Sequence, residues 1–428
     1  GMGINPYGRL AGTRVFAPNF NLSKCGGSDT GLIKRIQDNG AKISNNSWGC
    51  SGCAGLYDDS SQAFDAGVRD ADPTQSGNQE MIFIFSAGNS GPSAGTIGSP
   101  GNGKNMITVG ASENFRPSDE NGIWFDGCGV GPTGADDAMD VINFSSRGPS
   151  PGNRVKPELI GPGTHIQGTA STNASYNGSG VCDQFRPLVG QTVFAASSGT
   201  SHSAPAVAGI SSLAYWWMQN TYSITPSPAM IKAYLMAHTT YLTGASANDT
   251  LPSNRQGYGM PNMSKMFDDS SKFLLDQSYT FDNTGETWTW TGSVADSSKP
   301  VRIVLAYTDA PGAIGTSPHV NNLNLAVNNG SNTYLGNVFS NRWSIPGGTA
   351  DPHNNYEAVF LPPGTTGNIN ITTTAFNVAG DGVPNSGDGT DQDFSLICYN
   401  CTTQDGVFVD VPAGFWAGGY INAIFNAG

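Results

Sequence analysis

Residues 198–209 place a serine hydroxyl where nucleophilic chemistry is favoured. They read SGTSHSAPAVAG, so a tight turn of small residues, Gly199-Thr200-Ser201, leads directly into an apolar helix. Free backbone N–H groups and the positive end of the helix dipole stabilise an oxyanion at a helix N-terminus. Ser201 is therefore predicted to be a nucleophile whose own N–H holds the developing negative charge. A serine that only caps a helix is the alternative at this segment.

Segments elsewhere in the chain complete an ordered pattern around this serine. They are SNNSWG (44–49), FSAGNSGP (85–92), TIGSPGNGKNMITVGAS (96–112), FSSRGPSPGNRVKPELIGPGTHI (144–166), SPAMIKAYLMAHT (227–239) and QGYGMPNM (256–263). Together with residues 198–209, these segments resemble the subtilisin-like serine proteases, or subtilases, and they follow the family's order. The resemblance implies a secreted serine endopeptidase built on a doubly wound, mostly parallel α/β sheet, with polypeptides as substrates.

The resemblance also implies roles for individual residues. Ser201 would be the nucleophile, and the side chain of Asn89 would share the oxyanion hole with the Ser201 N–H. The substrate-binding residues would be Ser47, Trp48 and Gly49, which pair with the extended substrate, and Ser86, Ala87, Gly88 and Gly98, which line the S1 pocket. Because Gly98 has no side chain at the pocket floor, large apolar P1 residues are expected.

The aspartate and histidine motifs of a subtilase are not found in this sequence. In the family they read D-[ST]-G and H-G-T-H, and they lie upstream of the segment that GINPYGRLAGTRVF (3–16) resembles. A D-T-G run at 29–31 follows a polar segment, so we predict that it begins a helix capped by Ser28 or Asp29. His202 adjoins the predicted nucleophile, but consecutive helical residues point about 100° apart, so we expect it to pack.

We therefore expect a protease segment that is incomplete at its N-terminus and inactive alone. A natural pseudoenzyme, or an N-terminal piece supplied as a separate chain, would equally lack these motifs. Two further function classes stay open. One is an inert surface or adhesion protein, and the other is an esterase with a G-x-S-x-G elbow, although the fifth position of that motif is Ser203 here.

The sequence predicts three units along the chain. Residues 1–267 alternate apolar strand-like runs with helical stretches, as an α/β peptidase domain does. Residues 268–402 carry short strands between turn residues, which predicts an antiparallel β-sandwich. This second part resembles the C-terminal jelly-roll domain of the large, oxidatively stable alkaline subtilases. Residues 403–428 resemble the start of an S-layer-homology-like repeat, which implies cell-wall polysaccharide as a partner. An ordinary terminal helix is the alternative there.

We expect the sandwich to fold as its own unit around aromatic strand residues. The aromatic residues predicted to fill its core are Trp288, Trp290, Phe360 and Phe394. The resemblance further implies structural calcium in this domain, because oxygens gathered in loops suit a hard cation. The candidate ligands are Asp309, Asn321, Asn322, Asn324 and Glu357. The family's acidic V-N-D-L-D-L run reads VNNLNL at 320–325, and the lost carboxylates should weaken binding.

Cysteine spacing and charge indicate where the protein acts and what it does not bind. Two C-x-x-C pairs, at 50–53 and 398–401, stand among the seven cysteines, and disulfides are favoured there over a zinc site. The net charge of −13, with charged residues at only 12%, leaves no basic stripe for nucleic acid. The sequence has no run of 18 apolar residues, so it predicts no membrane-spanning helix. We therefore expect an extracellular protein, with attachment to the cell surface as a further option.

Overall fold

The N-terminal half of the chain is an α/β unit. The computed structural model describes residues 3–16, 19–116, 129–176 and 191–403. In chain order the elements of this half are α1 (Asp29–Asp38), β1 (Ile43–Asn46), α2 (Asp59–Arg69), β2 (Ile82–Ser86), β3 (Ile107–Ser112), β4 (Leu159–Pro162), β5 (Ile166–Thr169), β6 (Phe194–Ser197), α3 (Thr200–Thr221), α4 (Pro228–Ala237), β7 (Thr239–Thr240), β8 (Met260–Pro261) and α5 (Met263–Met266).

Four strands form a parallel sheet with helices on both faces. The strand order is β1-β2-β3-β4, and all three pairings are parallel. Alternation along β2 fixes the two faces, because successive side chains of a strand point to opposite sides. Ile82 and Ile84 belong to the apolar cluster that contains α3 and α4, whereas Phe83 and Phe85 pack in the cluster of α1 and α2. The predicted mixture of a parallel sheet with helices is confirmed.

Side-chain caps set where the first two helices begin. The Ser28 hydroxyl accepts a hydrogen bond from the Gly31 N–H at 3.1 Å, and the Asp58 carboxylate accepts one from the Ser61 N–H at 2.9 Å. Both satisfy backbone donors that a helix N-terminus leaves unpaired. The cap predicted at Ser28 is confirmed, so the D-T-G run at 29–31 lies in the first turn of a helix and not at the end of a strand.

The second half is built from antiparallel strands. They are β9 (Lys272–Phe281), β10 (Thr287–Val294), β11 (Val301–Ala306), β12 (Asn322–Asn329), β13 (Asn332–Leu335), β14 (Phe339–Ser340), β15 (Trp343–Ser344), β16 (Tyr356–Leu361), β17 (Asn368–Asn377), β18 (Gln392–Tyr399) and β19 (Cys401–Thr403). One sheet has the order β13-β12-β17-β10-β19 and the other β16-β11-β18-β9. Apolar side chains of both sheets enclose one core, which includes Trp290 and Phe394, with Trp288 packed against it.

The two halves share one apolar cluster. The outer face of the sheet β16-β11-β18-β9 presents Val304, Phe360 and Ile397 to the cluster that contains α4. Every residue of α4 is buried, because the helix packs against this outer face at β11 and β18 and against α3, which lies on the parallel sheet. The prediction that Phe360 fills the sandwich core is wrong. Along β16, residues alternate between the two faces, and Phe360 falls on the face opposite to Val359.

Disulfides and membrane spans can be compared with the sequence predictions. Cys50–Cys53 and Cys398–Cys401 form disulfides, as predicted, and the buried Cys25 is a free thiol. Cys128 and Cys182 lie outside the described residues, and so does the predicted terminal repeat at 403–428 except for its first residue. Within the described ranges, no helix is long and apolar enough to cross a membrane.

Candidate active site

The predicted nucleophile stands in the first turn of α3. Gly199, directly before the helix, has φ +150°, a backbone conformation that side chains disfavour, and a Cβ added there would lie 3.4 Å from Asn89 Nδ2. Glycine therefore allows the chain to enter the helix close to Asn89. Thr200 is the first helical residue and Ser201 the second, so the Ser201 hydroxyl lies at the N-terminal end of the helix dipole.

Ser201 is joined to the segment that follows β1. The Ser47 hydroxyl donates to the Ser201 carbonyl oxygen at 2.9 Å, and the Ser201 hydroxyl donates to the Ser47 carbonyl oxygen at 3.4 Å. The second contact is long for an O–H···O hydrogen bond, so the hydroxyl of the predicted nucleophile is held only weakly. The structure thus brings together two residues that lie 154 positions apart in the chain.

Asn89 is oriented by Thr200. Its Oδ1 accepts from the Thr200 N–H at 2.9 Å and from the Thr200 hydroxyl at 2.9 Å. The Gly88 N–H donates to the same hydroxyl at 3.2 Å. Because Asn89 Oδ1 accepts both hydrogen bonds from Thr200, the plane of the side-chain amide is fixed. Asn89 Nδ2 is then left as the donor that can form a hydrogen bond with an oxyanion. Sequence reasoning assigned no role to Thr200, although its position next to the serine could have drawn attention to it.

The predicted substrate-binding residues lie at the carboxyl ends of β1 and β2. Neighbouring parallel strands end on the same side, so 47–49 and 86–88 lie side by side. The Cys50 N–H donates to the Ser99 carbonyl at 2.7 Å, and this bond brings the turn after Gly98 up to the same segment. A Cβ at Gly49 would lie 3.1 Å from that carbonyl, which explains the glycine.

The Trp48 ring packs among aromatic side chains. The indole lies 5.5 Å from the Phe85 ring and 5.1 Å from the Phe20 ring, measured between centroids. Beside it opens a cleft of about 260 Å³, whose walls include Phe16, Phe20 and Asp58. Sequence reasoning missed this cleft, because Phe16 and Phe20 belong to an irregular segment with no periodic pattern.

Neither His202 nor His238 is hydrogen-bonded to the predicted nucleophile, Ser201. Among the described residues, the hydrogen bonds of the Ser201 hydroxyl lead to Ser47 and to no histidine. His238 is buried against Tyr234 and Tyr399, and burial lowers its pKa to about 3. Burial also lowers the pKa of His202, which agrees with the prediction that it packs. The buried imidazole of His238 therefore serves packing, and the hydrogen bonds of Ser201 include no base among the described residues.

Two of the candidate calcium ligands are already engaged. The Asp309 carboxylate accepts from Lys104 Nζ at 2.6 Å and from the backbone N–H groups of Val320 and Asn321 at 3.0 and 2.8 Å. Asn321 Oδ1 accepts from the N–H groups of residues 379 and 380 at 2.8 and 2.9 Å. A buried ammonium repels a second cation, so these two residues do not fit a calcium site.

The other candidate ligands carry unpaired oxygens. Glu357 Oε2 accepts from the Leu325 N–H at 2.7 Å, while its Oε1 is buried with no partner. Oδ1 of Asn322 and Oδ1 of Asn324 are also buried and unpaired. Burial raises the pKa of Glu357 well above its usual range, because no cation offsets its charge. Asn324 alternates with Leu323 and Leu325, which face the sandwich core, so its side chain lies on the face of β12 opposite to Glu357. In the described chain, no group of three or more His, Cys, Asp or Glu residues could hold a metal.

Comparison with known proteins identifies the family. A family model described as the subtilase family, Peptidase_S8, matches residues 2–259. The match covers more than half of the chain, and the fold and the residues around Ser201 agree with it. The chain belongs to the subtilase family of serine peptidases.

Individual relatives match parts of the chain. Serine protease AprX of Bacillus subtilis is 34% identical over 146 residues, which are 34% of this chain and 28% of AprX. Pyrolysin of Pyrococcus furiosus is 28% identical over 200 residues, covering 44% of this chain and 12% of pyrolysin. The chain thus spans less than a third of the length of these relatives. The solved structure of the prenylagaramide maturation protease PagA matches with a TM-score of 0.36 at 20% identity, covering 55% of this chain and 66% of PagA.

Proposed function

We propose that this chain is the part of a subtilase that supplies the nucleophile, the oxyanion hole and the substrate-binding strands of a serine endopeptidase. One observation carries the proposal. Thr200 holds Asn89 through two hydrogen bonds at the start of α3, so an amide donor and a helix N-terminus converge beside the Ser201 hydroxyl. A serine that merely capped a helix would not require a distant asparagine locked to its neighbour.

The chemistry follows from these positions. The Ser201 oxygen attacks the substrate carbonyl carbon, and its proton passes to a base. The oxyanion that forms accepts hydrogen bonds from Asn89 Nδ2 and the Ser201 N–H. Collapse breaks the C–N bond, the base returns its proton to the leaving amine, and water then hydrolyses the acyl-enzyme. An extended substrate is held by backbone pairing with residues 47–49, in the manner of an added strand.

The base itself is proposed to come from outside this sequence. No histidine here matches the family's motif, and none contacts Ser201 among the described residues. We propose that a histidine oriented by an aspartate is contributed by an upstream segment or by a second polypeptide, and that the chain alone does not hydrolyse peptides. Removing members of a catalytic triad leaves only oxyanion-hole and binding effects.

Fluorophosphonate labelling tests the proposal. The probe is applied to the chain alone and to the product of the complete open reading frame. We expect labelling and peptide hydrolysis in the complete product, loss of both in Ser201→Ala, and an about 10²–10³-fold lower kcat in Asn89→Ala. Ser203→Ala, a neighbouring serine on the same helix, is the matched control and should keep its labelling. Labelling that survives Ser201→Ala would refute the assignment, and an unlabelled complete product would favour an inert surface protein.

Calcium is proposed at Glu357. The support is the buried, unpaired Oε1 of this carboxylate, whereas Asp309 is taken by Lys104 and Asn324 lies on the other face of β12. The domain would then correspond to the jelly-roll of related subtilases. Added Ca²⁺ should raise the melting temperature of the chain by mass action. Glu357→Gln should abolish the rise, and Asp309→Asn should retain it. A rise that persists in Glu357→Gln would exclude this site.

We further propose that the protein acts outside the cell. The two disulfides support this, because such bonds persist in oxidising compartments. Residues 404–428 would attach it to cell-wall polysaccharide if they form the repeat that they resemble. Incubating the purified chain with isolated cell walls, with and without these residues, tests the attachment. Equal binding by both forms would contradict it.

A further inference from the structure

A lysine of the peptidase half is buried inside the sandwich half. The side chain of Lys104 is 1% exposed, and its ammonium donates to Asp309 Oδ2 and to the Pro318 carbonyl, each at 2.6 Å, and to the Ala310 carbonyl. All three N–H donors of the ammonium are therefore used. Burying an ammonium is unfavourable unless it is paired and fully hydrogen-bonded, and this site meets both conditions.

Asn105, the residue after Lys104, forms hydrogen bonds with the main chain of the same aspartate. Asn105 Nδ2 donates to the Asp309 carbonyl at 2.8 Å, and Asn105 Oδ1 accepts from the Asp309 N–H at 3.0 Å and from Asn355 Nδ2 at 3.0 Å. Two adjacent residues of one domain thus bind both the side chain and the main chain of Asp309 in the other. Such a paired contact fixes position in all directions, which a single surface ion pair does not.

The turn that leads into Lys104 forms part of the predicted S1 pocket. The Asn102 N–H donates to the Gly98 carbonyl at 3.1 Å, and the Gly103 N–H donates to the Pro100 carbonyl at 2.9 Å. The carbonyl of Ser99, inside the turn, accepts from the Cys50 N–H of the substrate-binding segment. The turn therefore has one end at the substrate strand and the other end at the lysine held by the sandwich.

We propose that Lys104 is a positioning residue for substrate specificity. Within the peptidase half the turn at 98–103 is held by Ser61, whose hydroxyl is hydrogen-bonded to Ser99 and Asn102, and by Thr108, which donates to the Gly101 carbonyl. Lys104, held by Asp309, adds an anchor at the end of the turn, and through this anchor the β-sandwich contributes to the shape of the pocket that receives the P1 side chain. The ammonium occupies the position at Asp309 that the sequence assigned to calcium. This inference rests on the proposed function only for the identity of the pocket. The mechanical link between Asp309 and the turn stands on the contacts alone.

The test substitutes a residue of the sandwich half and measures the effect on the peptidase half. Asp309→Asn removes the charge that holds Lys104. Asp393→Asn is the matched control, because Asp393 is also a buried sandwich carboxylate that binds a cation of the other half, Arg69. The hydrogen bonds of Arg69 go to Asp393, Glu80 and the Thr308 carbonyl, and not to residues 98–103. Hydrogen exchange of the Cys50, Asn102 and Gly103 amides is measured in the full chain. We expect about tenfold faster exchange at these amides in Asp309→Asn than in Asp393→Asn, since local opening is released only in the first variant.

A second measurement concerns the pocket. Calorimetry compares the peptides acetyl-Ala-Ala-Pro-Phe and acetyl-Ala-Ala-Pro-Ala, and needs no catalysis. Asp309→Asn should lower the preference for the phenylalanine peptide about five- to tenfold, at the low end of measured couplings between sites. Lys104→Met should do the same, whereas Asp393→Asn should leave the preference intact.

Each outcome decides the proposal. Equal exchange and equal peptide preference in the two Asp→Asn variants would overturn it, because Lys104 would then serve stability alone. If Asp309→Asn does not fold, Lys104→Arg, which keeps the charge, is compared with Arg69→Lys by the same two measurements, and the same equality would refute the link. A wild-type chain that binds neither peptide would count against the proposed function, while the exchange data would still decide whether the link exists.

Discussion

The segment 268–403, expressed alone, is expected to associate or aggregate instead of remaining a stable monomer. In the whole chain both faces of the sheet β16-β11-β18-β9 are covered, one by the other sheet and one by the cluster that contains α4. Cutting the chain at 268 removes that second cover. The sequence alone predicted a sandwich that folds independently. The strand pattern does not show that the outer face of this sheet packs against another part of the chain.

The size of the effect can be estimated from four side chains on the outer face. Leu274 is 4% exposed, and Val304, Phe360 and Ile397 are each 0% exposed. Burying a side chain of this type contributes about 1.5–3 kcal/mol, so the four together contribute about 6–12 kcal/mol. Whole domains are stable by only about 5–15 kcal/mol, so the fragment loses a decisive share of its cohesion. Values based on an extended unfolded chain are upper bounds, which favours the lower end of the range.

The assay compares two forms of the fragment. Residues 268–403 are purified as the natural sequence and as a variant with Val304→Thr, Phe360→Gln and Ile397→Thr on the outer face. Analytical ultracentrifugation, dye binding to exposed apolar surface and a circular-dichroism melt are recorded for each. We expect association and dye binding in the natural fragment and a clear reduction of both in the variant. A natural fragment that is monomeric, binds no dye and melts cooperatively would refute the reasoning.

Two further predictions concern the oxyanion hole and the response to pH. Thr200→Val removes the hydroxyl that holds Asn89, so it should lower the kcat of the active protease about 3- to 10-fold and leave KM unchanged. Thr200→Ser keeps a hydroxyl and should leave kcat unchanged. A changed KM with the same kcat in Thr200→Val would contradict this prediction. Burial raises the pKa of Glu113 from 4.5 to about 7, so the folded state binds its proton more tightly and stability should fall as pH rises through this window. Calorimetry of Glu113→Gln should show a smaller fall in melting temperature, and an unchanged fall would count against it.

The sequence by itself determined the local chemistry and much of the architecture. The sequence predicted the serine at the start of α3, the cap at Ser28, and the change from helices to antiparallel strands near 267. Each of these features depends on residues that lie close together in the chain. The sequence also favoured disulfides over zinc, but it left open which cysteines pair, and the structure joins Cys50 to Cys53 and Cys398 to Cys401.

Only the tertiary structure decided how distant groups are paired. Strand alternation shows that Phe360 and Val359 face opposite ways, but both faces of that strand are apolar, so the sequence could not tell which covers α4 and which fills the sandwich. The sequence does not distinguish a loop aspartate that binds calcium from one that forms an ion pair with a lysine. Lys104 and Asp309 lie 205 residues apart. Their pairing, like that of Thr200 with Asn89, exists only because packing of the two halves and of the sheet against α3 brings them together, and no local pattern in the chain encodes it.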